Sequence, residues 1–416
     1  MDPRRVAITG MGIVSPVGND CTTFFDNLLA GRSGIRRLSA GFAGQLAANV
    51  GGEVEFDAAA RFPKTKLGLL DRFSQFALEA TAQAIRESGF EPDVSLKART
   101  GVYLGTGMGG ASTVEAGYEE LFRQRKDRLP PFTVVRAMNN AAAGHISIDY
   151  GLRGPGITYS TACSSSAIAI GEAFRALRHG YVDAAIAGGA ESLLTLGTIR
   201  AWEALRTLAV TDADNPAASC RPFSKDRTGL VLAEGAGIVV LENLEHALRR
   251  GAFIHAELIG YGAGSDAEHL TRPGREGQVR AMQQALVDAG IAADEVDYIN
   301  AHGTATLAGD AVETAAIKQV FGAYAAHLPV SSTKSMHGHL MGATGAVEFI
   351  ASVLAMKRRA LPPTANLRVP DPECDLDYVP NRGREGVELR IVMSNSFAFG
   401  GSNAVLIARA VSGDRP

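Results

Sequence analysis

The chain is short of cysteine, tryptophan, long apolar runs and net charge, and each shortage excludes something. Its four cysteines, Cys21, Cys163, Cys220 and Cys374, lie far apart with no C-x-x-C pair. That spacing suits neither a zinc ribbon nor a disulfide framework and leaves reduced thiols, so any cysteine chemistry comes from a single nucleophile. No apolar run approaches the ~20 residues of a membrane span. The opening MDPRRVAITGMG carries no signal-peptide apolar core, which predicts a cytoplasmic protein without a membrane segment. A formal net charge of -3 argues against a general nucleic-acid binder. With 416 residues, 46% of them hydrophobic and 20% charged, the chain has the means to bury a large core.

What is present is a recurring pattern of short Val/Ile/Ala-rich runs, several ending in glycine: Arg5–Gly10, Thr100–Gly105, Asp183–Gly188, Gly237–Leu241, Val296–Asn300 and Leu389–Ser394. Continuous apolar runs of this length predict strands buried on both faces. Between them, Phe73–Ser88 and Val279–Ala289 place apolar residues at three- and four-residue intervals, which predicts helices. Alternation of the two predicts an α/β protein. No linker splits the chain. ITGMGIVSPVG near the N-terminus and LIGYGAGSDA from Leu258 both read as a strand entering a glycine-rich turn, a weak internal repeat. The polar segment Thr211–Asp226 reads as a surface excursion.

Three features invite a function that their surroundings do not support. Gly105–Gly110 matches G-x-G-x-x-G, but the following YEELFRQRKDRLPPF provides no second strand ending in a ribose-binding acid, so a packed turn is the better reading. His337, His339 and His302, with Asp310 or Glu313, suggest a metal shell, yet histidine clusters serve acid–base work as readily. The basic segments Arg61–Lys66 and Arg123–Arg128 read as solvated faces, with docking of an acidic partner as the alternative.

In YSTACSSSAIAI, residues 159–170, Cys163 stands where a strand-like run becomes helix-like. A helix N-terminus favours a thiolate, and the small neighbours leave room for an acyl group. A buried structural cysteine fits the same stretch, which does not choose between them. NAHGTAT, 300–306, follows a predicted strand and presents His302 at its end, and STKSMHGH, 332–339, follows another, Pro329–Ser331. One cysteine with two accessible histidines suits thioester chemistry: the thiol takes the acyl group and imidazole N–H groups donate to oxygens that become negative.

TACSSS, NAHGTAT, STKSMHGHLMGATGAVE and SNSFAFGGSN, in that order, resemble the β-ketoacyl-acyl-carrier-protein synthases, most of all the elongating synthase II type. The resemblance spans the chain from RVAITGMG to NAVLIARA. It implies a thiolase fold, a five-layer α-β-α-β-α sandwich of two similar halves, residues 1–250 with the nucleophile and 251–416 with the histidine pair. It implies Cys163 as nucleophile, His302 and His339 as the active-site histidines, and Lys334 as their electrostatic support. Thr304 and Thr306 match the threonines that hold the phosphopantetheine arm. Asp310 and Glu313 match acids supporting the active-site loop. Phe399 matches the gating phenylalanine whose N–H joins that of Cys163 as oxyanion hole. Met108 and Trp202 fall on the acyl pocket, and Asn300, Glu348 and Ser394 on a structural cation site of some relatives. No cofactor or catalytic metal is implied for the chain itself, because the acyl carrier protein supplies the phosphopantetheine arm.

The implied reaction is decarboxylative condensation of an acyl-enzyme with a malonyl carrier. The implied partners are acyl carrier protein and a second subunit, either another copy or a ketosynthase-like chain-length factor. With a carrier in view, Lys64, Lys66, Arg123, Arg125, Lys126 and Arg206 become docking candidates. Departures from the fatty-acid pattern at Ala398, His337, Trp202 and TACSSS lean toward a dedicated polyketide or polyene pathway over housekeeping elongation. Two other classes, a degradative thiolase and a non-catalytic partner subunit, lack support. No second cysteine follows Cys374, and the nucleophile position is filled.

Overall fold

A computed structural model describes residues 3–411. Ten strands form the main sheet: β1 (Val6–Val14), β2 (Thr100–Gly105), β3 (Gly156–Tyr159), β4 (Ala184–Glu191), β5 (Gly235–Asn243), β6 (Ala256–Ser265), β7 (Tyr298–Asn300), β8 (Val330–Ser331), β9 (Ile391–Phe397) and β10 (Ser402–Arg409). Their order is β3-β2-β4-β5-β1-β6-β10-β9-β7-β8. Each half therefore repeats one order: the first strand lies innermost, beside the fifth, and the third lies at the outer edge. Pairing repeats as well, with the three outer strands of each half parallel and the other two antiparallel. The halves join through Val6–Ile8 on β1, paired with Ala256–Leu258 on β6.

The helices used below are α1 (Arg72–Ser88), α2 (Ala141–Tyr150), α3 (Ser165–Arg178), α4 (Leu196–Ala204), α5 (Arg275–Ala289), α6 (Leu307–Phe321) and α7 (Thr344–Arg358). α3 and α7 pack on each other and on both half-sheets, forming the central layer. α1 and α2 cover the outer face of the first half, and α5 with α6 covers the second. This is the α-β-α-β-α thiolase architecture. α7 is buried over Thr344–Met356, as a helix sandwiched between sheets must be.

The internal repeat has a physical basis different from the expected turns. Gly10 and Gly12 lie inside β1, and Gly260 and Gly262 lie inside β6. A Cβ on Gly12 would stand 1.9 Å from Ala80 O of α1, and one on Gly262 2.0 Å from Ala281 O of α5. In both halves a glycine lets the outer helix rest directly on the innermost strand. The segment 211–226 is a surface excursion only in its first half, where Ala213–Asn215 are exposed. Ala218, Ser219, Cys220 and Phe223 are buried, and Phe223 stacks on Tyr378 at 3.9 Å beneath the site described next.

Candidate active site

The carboxyl ends of the parallel strands in both halves open on one region. β3 leads to Cys163, β7 to His302, β8 to Lys334 and His339, and β9 to Phe399. Cys163 occupies a 3-10 turn, Ala162–Ser164, just before α3. Ala162 holds φ at 51°, a left-handed conformation costly for a residue with a Cβ. The side-chain atoms of Cys163, His302 and His339 lie within 4.8 Å of one another.

Both histidines are fixed as neutral donors. The His339 Nδ1 accepts from the Met341 N–H at 3.0 Å and lies 2.9 Å from Thr344 Oγ1. Its proton therefore resides on Nε2, which is buried and has no partner among the described residues. The His302 Nδ1 lies 3.3 Å from Lys334 Nζ, a donor only, so its proton also resides on Nε2. Burial, followed by the Lys334 charge, holds both imidazoles well below the usual histidine range. Lys334 is itself fully buried and donates to Glu348 Oε1 at 2.6 Å and His302 O at 2.5 Å. The rings of His302 and His339 meet edge to face at 5.5 Å.

The loop carrying His302 is held from below by two carboxylates. Glu313 on α6 accepts from the N–H groups of His302 at 2.8 Å and Gly303 at 2.7 Å. Asp310 accepts from Ala305 N at 3.1 Å and Phe223 N at 2.7 Å, with Arg227 at 3.6 Å. Burial pushes Asp310 up to about 7 against those donors and raises Glu313 as well. Thr304 and Thr306 hydroxyls lie 3.1 Å apart, and Thr306 also caps α6 by accepting from Gly309 N. Thr344, Met341, Phe223 and Arg227 escaped the sequence analysis. Thr344 and Met341 stand inside the quoted HGHLMGATG block, whereas Phe223 and Arg227 carried no local signal.

Cys163 opens onto a cavity of about 160 Å³ whose lining includes Trp202, His302, Thr304, Thr306, His339 and Phe399. Trp202 stacks on Phe399 with centroids 5.7 Å apart. Met108 stands elsewhere: it is 47% exposed, on a turn whose N–H groups are gathered by the buried Glu191, and it does not line this cavity. His337 turns away too, bonding Gly338 O at 2.7 Å and Thr333 Oγ1 at 2.9 Å, so the triple-histidine metal shell does not form. Of the basic docking candidates, Lys66 pairs with Asp149, Arg123 with Glu119 and Lys126 with Glu120. Arg206 is exposed beside Thr207 at the cavity wall. Among the described residues, Asn300 Oδ1, Glu348 Oε2 and Ser394 Oγ are buried without hydrogen-bond partners, and each is a hard oxygen donor of the kind a structural cation takes.

The thiol departs from the thiolate expected at a helix N-terminus. Burial pushes Cys163 up to about 11, outweighing the Lys334 charge and the N–H groups of Phe399 and Cys163 that point at the sulfur. Alkylation of Cys163 by iodoacetamide is therefore expected to accelerate about tenfold per pH unit from pH ~7 to ~9, following the growing thiolate fraction. Mass spectrometry of the Cys163 peptide measures it, and a plateau below pH ~8 would contradict this balance.

Protein-family models for the beta-ketoacyl synthase N-terminal and C-terminal domains match residues 3–247 and 255–368. The chain is 45% identical over 414 residues to the 3-oxoacyl-[acyl-carrier-protein] synthase 2 of Coxiella burnetii, covering 99% of this chain and 100% of the relative. Among solved structures it is similar to the ishigamide ketosynthase/chain length factor, at TM-score 0.90 and 37% identity, covering 99% of this chain and 100% of that one. It is equally similar in fold, at TM-score 0.90 and 33% identity, to a type II polyketide-synthase ketosynthase solved with its acyl-carrier protein and bound to the hexaketide, covering 99% of this chain and 100% of that one. The chain thus belongs to the β-ketoacyl synthase family and is a condensing acyltransferase, a ketosynthase of fatty-acid or polyketide synthesis.

Proposed function

We propose that the chain condenses a Cys163-bound acyl group with malonyl carrier protein to give 3-oxoacyl carrier protein, CO2 and free carrier. The observation supporting this is the fixed tautomer of both histidines, which aims two Nε2–H donors at the space over the sulfur. In the first half-reaction Cys163 Sγ attacks the acyl-carrier thioester, and the departing carrier sulfur takes the proton that the cysteine gives up. The carbonyl oxygen is stabilised by the N–H groups of Cys163 and Phe399. In the second, His302 and His339 donate to the malonyl thioester oxygen while the carboxylate leaves as CO2. The resulting enolate carbon attacks the acyl-Cys163 carbonyl, and Sγ leaves as thiolate and takes up one proton from solvent. Each well-placed donor contributes about 3 kcal/mol to stabilising the developing charge.

Thr304 and Thr306 take the phosphopantetheine arm in this scheme, Asp310 and Glu313 keep the His302 loop in place, and Phe399 gates entry. Asn300, Glu348 and Ser394 hold a structural cation, and the halves 1–250 and 251–416 divide nucleophile from histidine pair. No second cysteine lines the cavity, which weighs against a degradative thiolase. The packing of Leu193, Ile199, Trp202 and Met341 around Cys163 favours a short acyl group unless these side chains move.

An acidic carrier and a second ketosynthase-like subunit complete the assembly. Phe122, Val134, Ile148 and Ile157 are 77%, 70%, 76% and 40% exposed, and Ile157 lies on the edge strand β3, so this face is the one a second subunit covers. The test mixes the chain with carriers bearing short, long saturated or polyunsaturated acyl groups, with and without such a partner subunit, and follows Cys163 by intact-protein mass spectrometry. Short or polyunsaturated preference, or dependence on the partner, supports a dedicated pathway, whereas long saturated preference supports fatty-acid elongation. Sedimentation of the same sample is expected to show a dimer, and a stable monomer at micromolar concentration would refute the covered face.

A further inference from the structure

The rim of the Cys163 cavity contains one arginine that no part of the reaction scheme uses. Leu270, Thr271, Arg272 and Pro273 all line the cavity, and Arg272 is exposed at its solvent side. The backbone there is fixed. The His269 Nδ1 accepts from the N–H groups of Thr271 at 3.1 Å and Arg272 at 3.2 Å, and the Leu270 carbonyl accepts from Gly400 N at 2.7 Å. The Arg272 guanidinium is in no ion pair among the described residues, although neighbouring Arg275 pairs with Glu276 and Arg280 donates to Ser265 O. The carboxylates that share the cavity wall are already engaged. Asp266 accepts from Gly274 N and Asn403 Nδ2, and Glu313 from His302 and Gly303 N. An uncompensated guanidinium on an anchored turn, at the open end of a channel leading to a thiol, is a receptor for an anion.

We propose that Arg272 is a positioning residue that binds the phosphodiester joining the carrier protein to its pantetheine arm. This rests on the carrier-dependent reading above. The arm has a thioester at one end, amides in the middle and a phosphodiester at the other. With the thioester at Cys163 and the amides beside Thr304 and Thr306, the phosphodiester reaches the rim, where a planar guanidinium offers two parallel N–H donors to its oxygens. Arg206, exposed next to the lining residue Thr207, is left to the acidic surface of the carrier itself. Arg272 thereby sets how deeply the arm is seated, while the donors at Cys163 perform the chemistry.

The experiment compares acylation of Cys163 by hexanoyl-pantetheine, by its phosphorylated counterpart and by hexanoyl carrier protein, in wild type, Arg272→Gln, Arg272→Lys and Arg206→Gln. Wild type is expected to react with kcat/KM about tenfold higher for the phosphorylated donor than for the unphosphorylated one, the scale of one charge-assisted contact. Arg272→Gln is expected to erase that preference through KM while leaving the pantetheine donor unchanged, and Arg272→Lys to restore part of it. Arg206→Gln is expected to slow only the carrier protein. An Arg272→Gln enzyme that keeps the preference, or slows both small donors equally, overturns the assignment. So does a wild type that does not discriminate between the small donors while still accepting the carrier. Failure of wild type to be acylated by any of the three overturns the carrier-dependent reading and this inference with it.

Discussion

Replacing Cys163 with alanine is expected to eliminate acyl-enzyme formation and lower condensation by at least about 10⁴-fold, the scale of removing a nucleophile. The informative part is what survives. His302 and His339 are oriented by Lys334, Met341 and Thr344, and none of those contacts involves the cysteine. Decarboxylation of malonyl carrier protein should therefore persist in Cys163→Ala, measured as CO2 release or as accumulation of acetyl carrier protein. The variant should also fold, because the lost sulfur is small and adjoins an existing cavity. Loss of both half-reactions in a folded Cys163→Ala protein would mean that the sulfur, and not the imidazole pair alone, organises the malonyl group. Acylation that continued would move the nucleophile elsewhere, and Cys21, Cys220 and Cys374 give it nowhere to go within the cavity.

The expected separation of the two half-reactions follows from the duplication, which the sequence displayed only faintly. The apolar runs at Thr100–Gly105 and Gly237–Leu241 were legible because strands buried on both faces need no alternation. The short edge strand β3, exposed along Gly156–Ile157, has no such run and was legible only as the strand-like stretch before Cys163. The strand β10 was invisible: only Ser402 and Asn403 fall inside the SNSFAFGGSN block, and the glycines of the gate loop before it mask its start. Both histidines were legible as types beside glycine after strands, and the cysteine as one thiol among small residues where a strand gives way to a helix. Their protonation was not. Tautomers depend on a 3.0 Å bond from Met341 N and on a lysine 32 residues from His302, contacts made by the fold. The thiol was misjudged for a related reason: a helix N-terminus is visible in sequence, whereas the burial that outweighs it is a property of the packed site. Phe223, in a segment that reads as polar surface, was pulled inward by a bond to Asp310 and a stack on Tyr378.

Substituting Lys334 with methionine should damage stability and chemistry by separate routes, and a second substitution distinguishes them. The ammonium is fully buried, and its removal leaves the Glu348 Oε1, also fully buried, without its ammonium partner. Breaking a buried pair on one side costs about 3–5 kcal/mol, because the remaining charge is uncompensated. Lys334→Met/Glu348→Gln removes both charges and should regain most of that loss in a denaturant titration, since an amide can be buried far more cheaply than a carboxylate. Decarboxylation should not recover with it. Without the Lys334 donor, the His302 Nδ1 has no reason to remain unprotonated, and a proton on Nδ1 makes Nε2 an acceptor facing a developing enolate. Loss of one such donor costs about 10²–10³-fold in rate. The double variant is therefore expected to be stable and acylated at Cys163, yet slow in releasing CO2. Recovery of decarboxylation alongside stability would show that Lys334 acts only as the counter-ion of Glu348 and that the tautomer of His302 is held by something else.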